Sequence, residues 1–173
     1  TPLDINRAIA STATVASNEW KYIAELQTDF DPDLPAVPVM PGDFNQVILN
    51  MIVNAAHAIG DVVGDGGSSR GTITLATRRV DDRAEIRISD TGCGIAPDQL
   101  DTLFLPYTTA PDAAANAPEG SSGLGLSISR RLAGLMGGVV SLQSEPGQGT
   151  QARVELPLAW SLAAAPHPPQ QSE

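Results

Sequence analysis

Cysteine, lysine and long apolar runs are all scarce in this chain. A single cysteine, Cys93, stands among 173 residues, which excludes an internal disulfide and any metal site built from several thiolates. Nothing points to an oxidising compartment, and a cytoplasmic setting is expected. No stretch reaches the roughly 18 consecutive apolar residues that a bilayer span needs, and the residues from Thr1 onward lack the basic-then-apolar layout of a secretory leader. No membrane contact is expected.

Basic charge is also short. Ten Lys and Arg against twenty Asp and Glu leave a net charge of −10, which argues against a broad nucleic-acid surface. Lys21 is the one lysine. An anionic ligand would have to be met locally, by backbone N–H groups, a helix N-terminus or a bound cation.

What is present suits one globular domain with a real core, since 42% of the residues are hydrophobic. Residues Leu3 to Asn18 carry helical signals. In "KYIAELQTDF", Tyr22, Ala24 and Leu26 alternate with Ile23, Glu25 and Gln27, as in a half-buried strand. "DPDLPAVPVMPGD" then interrupts regular structure with four prolines, and Asp43 is the expected N-cap of the next helix. That helix is expected to stop before "GDVVGDGGSSRG". "TITLATRRV" and "RAEIRISD" alternate as two strands around the turn "VDDR". A segment over about 107–122, rich in Ala, Pro, Gly and Ser, reads as a mobile lid or a disordered insert. Leu126, Ile128, Leu132, Leu135 and Met136 mark an amphipathic helix closed by Gly137 and Gly138, and a final strand pair follows. Residues 161–173 read as a proline-rich tail or linker. The expected fold is an α/β (α+β) two-layer sandwich, with a mixed sheet of about five strands covered on one face by about three helices.

Three features carry chemistry. The first is "NQVILNMIVNAAHAI", whose Phe44-led apolar face (Val47, Ile48, Met51, Ile52, Ala55, Ile59) is interrupted by a polar stripe. At about 100° per residue, Gln46, Asn50, Asn54 and His57 lie within about 40° of one another's mean direction. A polar group in such a helix needs a partner, either neighbouring backbone or a ligand. The second is Asp90, at the end of a strand and followed by "TGCGI", where Gly92 and Gly94 permit a tight turn and close approach. A carboxylate there either caps the turn or accepts from an exocyclic amine such as that of adenine. The third is "EGSSGLGLSI", whose glycines lead into a helix N-terminus suited to phosphate. It is neither a P-loop nor the dinucleotide fingerprint, for no Gly-Lys-Ser/Thr follows and no strand precedes it.

Taken in order, "NQVILNMIVNAAHAI", "DTGCGI", "LFLPYTT", "SSGLGLSISRRL" and "SEPGQGT" resemble the N box, first glycine box, F box, second glycine box and terminal strand pair of sensor histidine kinase ATP-binding domains. The resemblance covers about Asp4 to Leu158, within a domain of residues 1–160. It implies the Bergerat ATP-binding fold, shared with type II topoisomerases, mismatch-repair ATPases and heat-shock chaperones. Those branches usually carry a water-activating glutamate where this chain has Asn50. The resemblance further implies that Asn54 ligates Mg²⁺ bridging the triphosphate, and that Asn50 bonds the phosphates or a metal-bound water, making Asn50 and Asn54 the catalytic pair. His57 stands where relatives often place Lys or Arg, though glutamine and other residues occur. Asp90 reads the adenine amine above Gly92, Gly94 and Ile95, joined by Thr150 through water. Tyr107 and Thr108 belong to the lid. Ser121, Ser122, Gly123, Leu124, Gly125 and Leu126 wrap the phosphates.

Two departures from the family pattern concern the lid: Ala110 follows "YTT" where many relatives have lysine, and Ser121-Ser122-Gly123 replaces Gly-Thr-Gly. Ser122 keeps a hydroxyl at the threonine position. Neither His57 nor His167 sits in an acceptor-histidine motif. The resemblance therefore implies the catalytic part of a longer kinase, with ATP and Mg²⁺ as cofactors. Its partners would be a dimerisation and histidine-phosphotransfer domain of the same kinase and a downstream response regulator. The alternative is a kinase-like regulatory module, either anti-sigma-type or turnover-deficient.

Overall fold

The computed structural model describes residues 2–63, 70–95 and 125–158. The lid and the tail expected above lie outside them. Asp4 opens the first helix, α1 (Ile5–Val15), by accepting from the Arg7 N–H at 3.2 Å. A short α2 (Ser17–Trp20) continues it, so the helical signal of residues 3–18 is split in two. Strand β1 (Ala24–Asp29) follows. Ala24 is buried as expected, but Tyr22 is 76% exposed and lies before the strand, stacked under the Lys21 ammonium at 4.9 Å. The four-proline segment holds one pairing of its own, a reciprocal bridge of Val37 with Leu3.

Helix α3 (Pro41–Val63) corrects both expected ends. Its first intrahelical bond runs from the Phe44 N–H to the Met40 carbonyl at 2.9 Å. The start is therefore set by Pro41, whose fixed φ suits a first helical position, and Asp43 lies in the first turn where its charge meets the helix dipole. Gly60 does not end the helix, because it is not among the glycines with the positive φ that a C-cap requires. The apolar face is as expected: Phe44, Val47, Ile48, Met51, Ile52, Ala55 and Ile59 are all buried. Burying a large side chain of this kind contributes roughly 1.5–3 kcal/mol.

That face lies on a five-stranded sheet of order β1-β2-β3-β5-β4. Strands β2 (Gly71–Val80) and β3 (Arg83–Asp90) form the expected hairpin, and Asp81 adopts φ 53° at its turn, a conformation Asp tolerates. Strands β4 (Val139–Glu145) and β5 (Gly149–Pro157) form the second hairpin, with β5 antiparallel to β3. Among the described strands only β1 and β2 run parallel, with α3 as their crossover, which makes the sheet mixed. Inner-facing Ile73, Leu75, Ala84, Ile86, Ile88, Ala152, Val154 and Leu156 meet α1, α3 and α4 (Gly125–Leu135) in one core.

Helix α4 keeps Leu126, Leu132 and Met136 of the expected stripe against the core but turns its other two residues outward. Ile128 and Leu135 are exposed, whereas Ser129, Ala133 and Met136 are buried at i, i+4 and i+7. Gly137, at φ 78°, ends it, and the Gly138 N–H returns to the Ala133 carbonyl at 2.8 Å. Among the described residues no helix is long and apolar enough to cross a membrane.

Candidate functional site

Helix α3 links the two glycine-flanked segments: Ala58 meets the turn after β3, and Asn50, two turns earlier, meets α4. Asp90 is the last residue of β3, opposite Ile73 on one side and Thr150 on the other. Its Oδ1 accepts from the Gly92 N–H at 2.8 Å. Burial pushes its carboxyl from the ordinary 3.8 up to about 6, although the Gly92 and Thr150 N–H groups pull the other way. A desolvated carboxylate is a strong acceptor for a ligand amine. An open hollow of about 360 Å³ lies beside the Asp90 carboxyl, but Ser89, Gln143 and Gln151, which alternate onto the outer face of the sheet, line it together with Asp90, Ser144 and Thr150, so it opens at the sheet end rather than between β3 and α3.

The turn after Asp90 is pinned to neighbours that only small residues allow. A Cβ on Gly92 would meet Ala58 of α3, and the Cys93 N–H reaches the Ala58 carbonyl at 3.3 Å. Gly94 adopts φ +75°, and a Cβ there would fall on the Glu145 carbonyl oxygen. The Ile95 N–H donates to Ser144 Oγ at 2.7 Å. Ser144 is also 2.9 Å from the Gly149 carbonyl and 2.8 Å from Thr150 Oγ1. One hydroxyl proton satisfies this set if Ser144 donates to Gly149 and accepts from Ile95 and Thr150.

The polar stripe of α3 lies along the lip rather than inside the core. Gln46 and Asn54 are exposed, and Asn50 and His57 are half-buried. Asn50 is held at both ends of its amide: Oδ1 accepts from Gln46 Nε2 at 2.8 Å, and Nδ2 donates to Ser129 Oγ at 3.0 Å. Ser129 is fully buried. His57 departs from the other three, for its Nε2 lies 3.9 Å from the Glu19 carboxylate of α2. Gly125 and Leu126 open α4, with Leu126 packed against the core. Tyr107, Thr108, Ser121, Ser122, Gly123 and Leu124 lie outside the described residues.

Ser129 and Ser144 were missed by the sequence reading. A signal existed for Ser129, a polar residue on the buried i, i+4, i+7 stripe of α4, the same anomaly that exposed the asparagines of α3. Replacing it is expected to loosen the Asn50 amide without emptying the core. Ser129→Ala should cost about 1 kcal/mol of stability, the usual value of one hydrogen bond, and denaturant unfolding with a fixed m-value checks it. Ser129→Thr should cost more, because the added methyl enters a filled core.

A family model described as "Histidine kinase-, DNA gyrase B-, and HSP90-like ATPase" matches residues 41–159. The chain belongs to this family. Within it, the ATPase domain resembles the sensory histidine kinase/phosphatase NtrB of Salmonella typhimurium, 34% identical over 157 residues that cover 89% of this chain and 43% of NtrB. The chain thus spans less than half the length of that relative. The mycobacterial sensor histidine kinase MprB shares the fold, with a TM-score of 0.74 at 22% identity over 91% of this chain and 97% of the MprB structure. Full-length ShkA, solved in complex with AMPPNP, has a TM-score of 0.74 at 27% identity, over 95% of this chain and 32% of ShkA. The mixed five-stranded sheet under one layer of helices is the ATPase fold that the resemblance implied.

Proposed function

We propose that this domain binds ATP, with its adenine amine on Asp90, and passes the γ-phosphate to a histidine carried by a separate dimerisation domain of a two-component sensor kinase. The observation that carries the reading is the Asp90 carboxylate, desolvated at the end of β3 with Oδ1 engaged by Gly92. Kinship with sensor kinases and the AMPPNP complex of ShkA support it. Thr150, beside Asp90 on β5, would complete the adenine floor. Tyr107, Thr108 and Ser121 to Leu124 would form the lid and phosphate wrap.

Asn50 carries an amide where a hydrolytic ATPase needs a base, and both ends of that amide are engaged. The site therefore suits transfer to an imidazole rather than to water. The chain's net −10 charge makes a cation necessary for the triphosphate. Among the described residues no cluster of three His, Cys, Asp or Glu could hold a metal alone. Amide oxygens fit Mg²⁺, a hard ion that takes few protein ligands beside phosphate oxygens and water. Asn54, exposed on the lip, would hold it with Asn50 close by. When bound, the ion would neutralise charge on the β- and γ-phosphates. The N-terminal turn of α4 would add its N–H dipoles.

Calorimetric titration of ADP and a non-hydrolysable ATP analogue, with and without Mg²⁺, tests the reading. Asn54→Ala is expected to leave Mg²⁺-free ADP binding nearly intact and to erase the gain from Mg²⁺. A second expectation concerns pH. Only the ionised Asp90 is a full-strength acceptor, so affinity should fall as pH drops through about 6, by roughly tenfold between pH 7.5 and 5. An Asp90→Asn variant should show no such dependence. Flat affinity across that range in the unaltered domain would remove Asp90 from the adenine contact.

A further inference from the structure

We propose that the outer face of the sheet, the side away from the helices, is a docking surface for an acidic segment of a partner protein. Alternation places Arg78 of β2, Glu85 and Arg87 of β3, and Arg153 of β5 on that face, opposite the buried Ile86, Ile88 and Val154. Glu85 is only 3% exposed because arginines surround it. Arg87 Nε binds its Oε1, Arg78 Nε lies 3.2 Å from the same oxygen, and Arg153 Nε approaches no closer than 3.9 Å. One carboxylate thus faces three guanidinium groups.

The imbalance is more than a count. Arg87 and Arg153 are direct cross-strand partners, an arrangement of like charges that costs stability unless something neutralises it. Arg153 Nε is buried and has no hydrogen-bond partner, a donor whose acceptor is missing. Neighbouring acids do not supply it: Glu155 is engaged by Arg83 at 3.8 Å, and Asp29 lies on the β1 edge with Ala76 between it and Arg87. Arg78, Arg83, Arg87 and Arg153 meet only Glu85 and Glu155 at the centre of the face, a local excess of positive charge, while Glu25 and Asp29 on β1 and Glu145 on β4 stand toward its edges.

Guanidinium forks match carboxylates in planar, bidentate fashion. Adjacent strands set Arg87 and Arg153 about 5 Å apart. Carboxylates two residues apart on an extended segment, or three to four apart on a helix, present a comparable spacing. A second copy of this acidic chain would meet repulsion over the rest of its surface. A short acidic segment would not.

The test is NMR titration of the isotope-labelled chain with an acetylated hexaglutamate peptide. Saturable shifts are expected at the Arg87 and Arg153 amide and Nε–H signals, with affinity falling about fivefold between low and physiological salt. Arg87→Gln combined with Arg153→Gln should weaken the peptide about tenfold. Glu85→Gln, which leaves the arginines in place and raises the patch by one charge, should tighten it about threefold. Both variants should hold adenine-nucleotide affinity within about twofold, the site being on the opposite face. If the arginines serve only to satisfy Glu85, Glu85→Gln alters stability and leaves peptide binding unmoved, which overturns the proposal. So would absence of saturable shifts, equal response to inorganic phosphate or to an oligonucleotide of matched charge, or self-association that depends on the same arginines.

Discussion

Asp90→Asn is expected to give a domain that melts higher at neutral pH and has lost most of its affinity for adenine nucleotide. The two effects come from one carboxylate. Because its pKa in the fold is raised from 3.8 to about 6, the folded state holds the proton more tightly than the unfolded chain. Folding is therefore opposed by this group as pH rises from about 3.8 to about 6, and the penalty is constant above that. Its ceiling at pH 7 is on the order of 3 kcal/mol, and the N–H groups of Gly92 and Thr150 are retained by an amide oxygen, so a gain of about 1–2 kcal/mol, or roughly 3–8 °C in melting temperature, is expected.

Binding moves the other way. If the substituted amide keeps its oxygen on the Gly92 N–H, its NH₂ faces the adenine amine, donor against donor. If the amide flips, Gly92 loses its acceptor. Either arrangement forfeits a charge-assisted bond of about 1.5–3 kcal/mol, a loss of roughly 10- to 150-fold in affinity. Differential scanning fluorimetry at pH 7.5 and pH 4, with calorimetry for ADP, reads both. The thermal gain should vanish at pH 4, where the wild-type carboxyl is protonated. A variant that melts lower at pH 7.5 would refute the desolvation account.

Gly149→Ala is expected to damage fold and site together. Gly149 adopts φ +111° at the start of β5, and an added Cβ would fall on the Asp90 carbonyl oxygen, with Thr91 Cα also at 3.2 Å. Both obstacles are backbone and cannot rotate away. Left-handed strain of about 1–2 kcal/mol and displacement of about 1–3 kcal/mol together predict a loss of roughly 2–5 kcal/mol. The strand that yields carries Asp90, so nucleotide affinity should fall with stability. Gly147, two residues earlier in the same turn, is the control: it has φ +78° but nothing within 4 Å of a Cβ. Gly147→Ala should bear the strain alone, about 1 kcal/mol, and keep its affinity. Equal stability losses from the two variants, measured by denaturant unfolding, would show that the predicted clash with Asp90 is relieved without cost.

Much of this architecture was legible in advance, for physical reasons. Helix α3 was readable because seven apolar residues recur at helical spacing, and the hairpin of β2 and β3 because alternation is strict on both sides of a two-Asp turn. The ends were harder. Asp43 has the chemistry of an N-cap, but Pro41 already satisfies the geometry two residues earlier. Gly60 has the chemistry of a stop, yet the helix continues for a further turn at the modest cost of one interior glycine. Tyr22 fits the alternation of β1, but the strand begins after it.

The candidate site was legible where a residue violates its local pattern. Asn50 and Asn54 interrupt an apolar helix, and Asp90 closes a strand against two glycines. What could not be read was pairing over distance. Ser129 meets Asn50 across 79 positions, and Ser144 meets Ile95 across 49. The Glu19 carboxylate beside His57 was equally out of reach, since helices α2 and α3 are joined only through the fold. Hydrogen bonds of this kind are set by how the layers stack, and no local periodicity encodes them.

The central claim is that an adenine nucleotide lies between the end of β3 and the lip of α3. Amide NMR of the unaltered chain, titrated with Mg²⁺-ADP, tests it most directly. Saturable shifts are expected to concentrate at Asp90, Gly92, Gly94 and Thr150 and at the side-chain amides of Asn50 and Asn54, with Glu85 and Arg153 silent on the far face. Saturable binding that leaves Asp90 and Gly92 unmoved, or no binding with or without Mg²⁺, would contradict it.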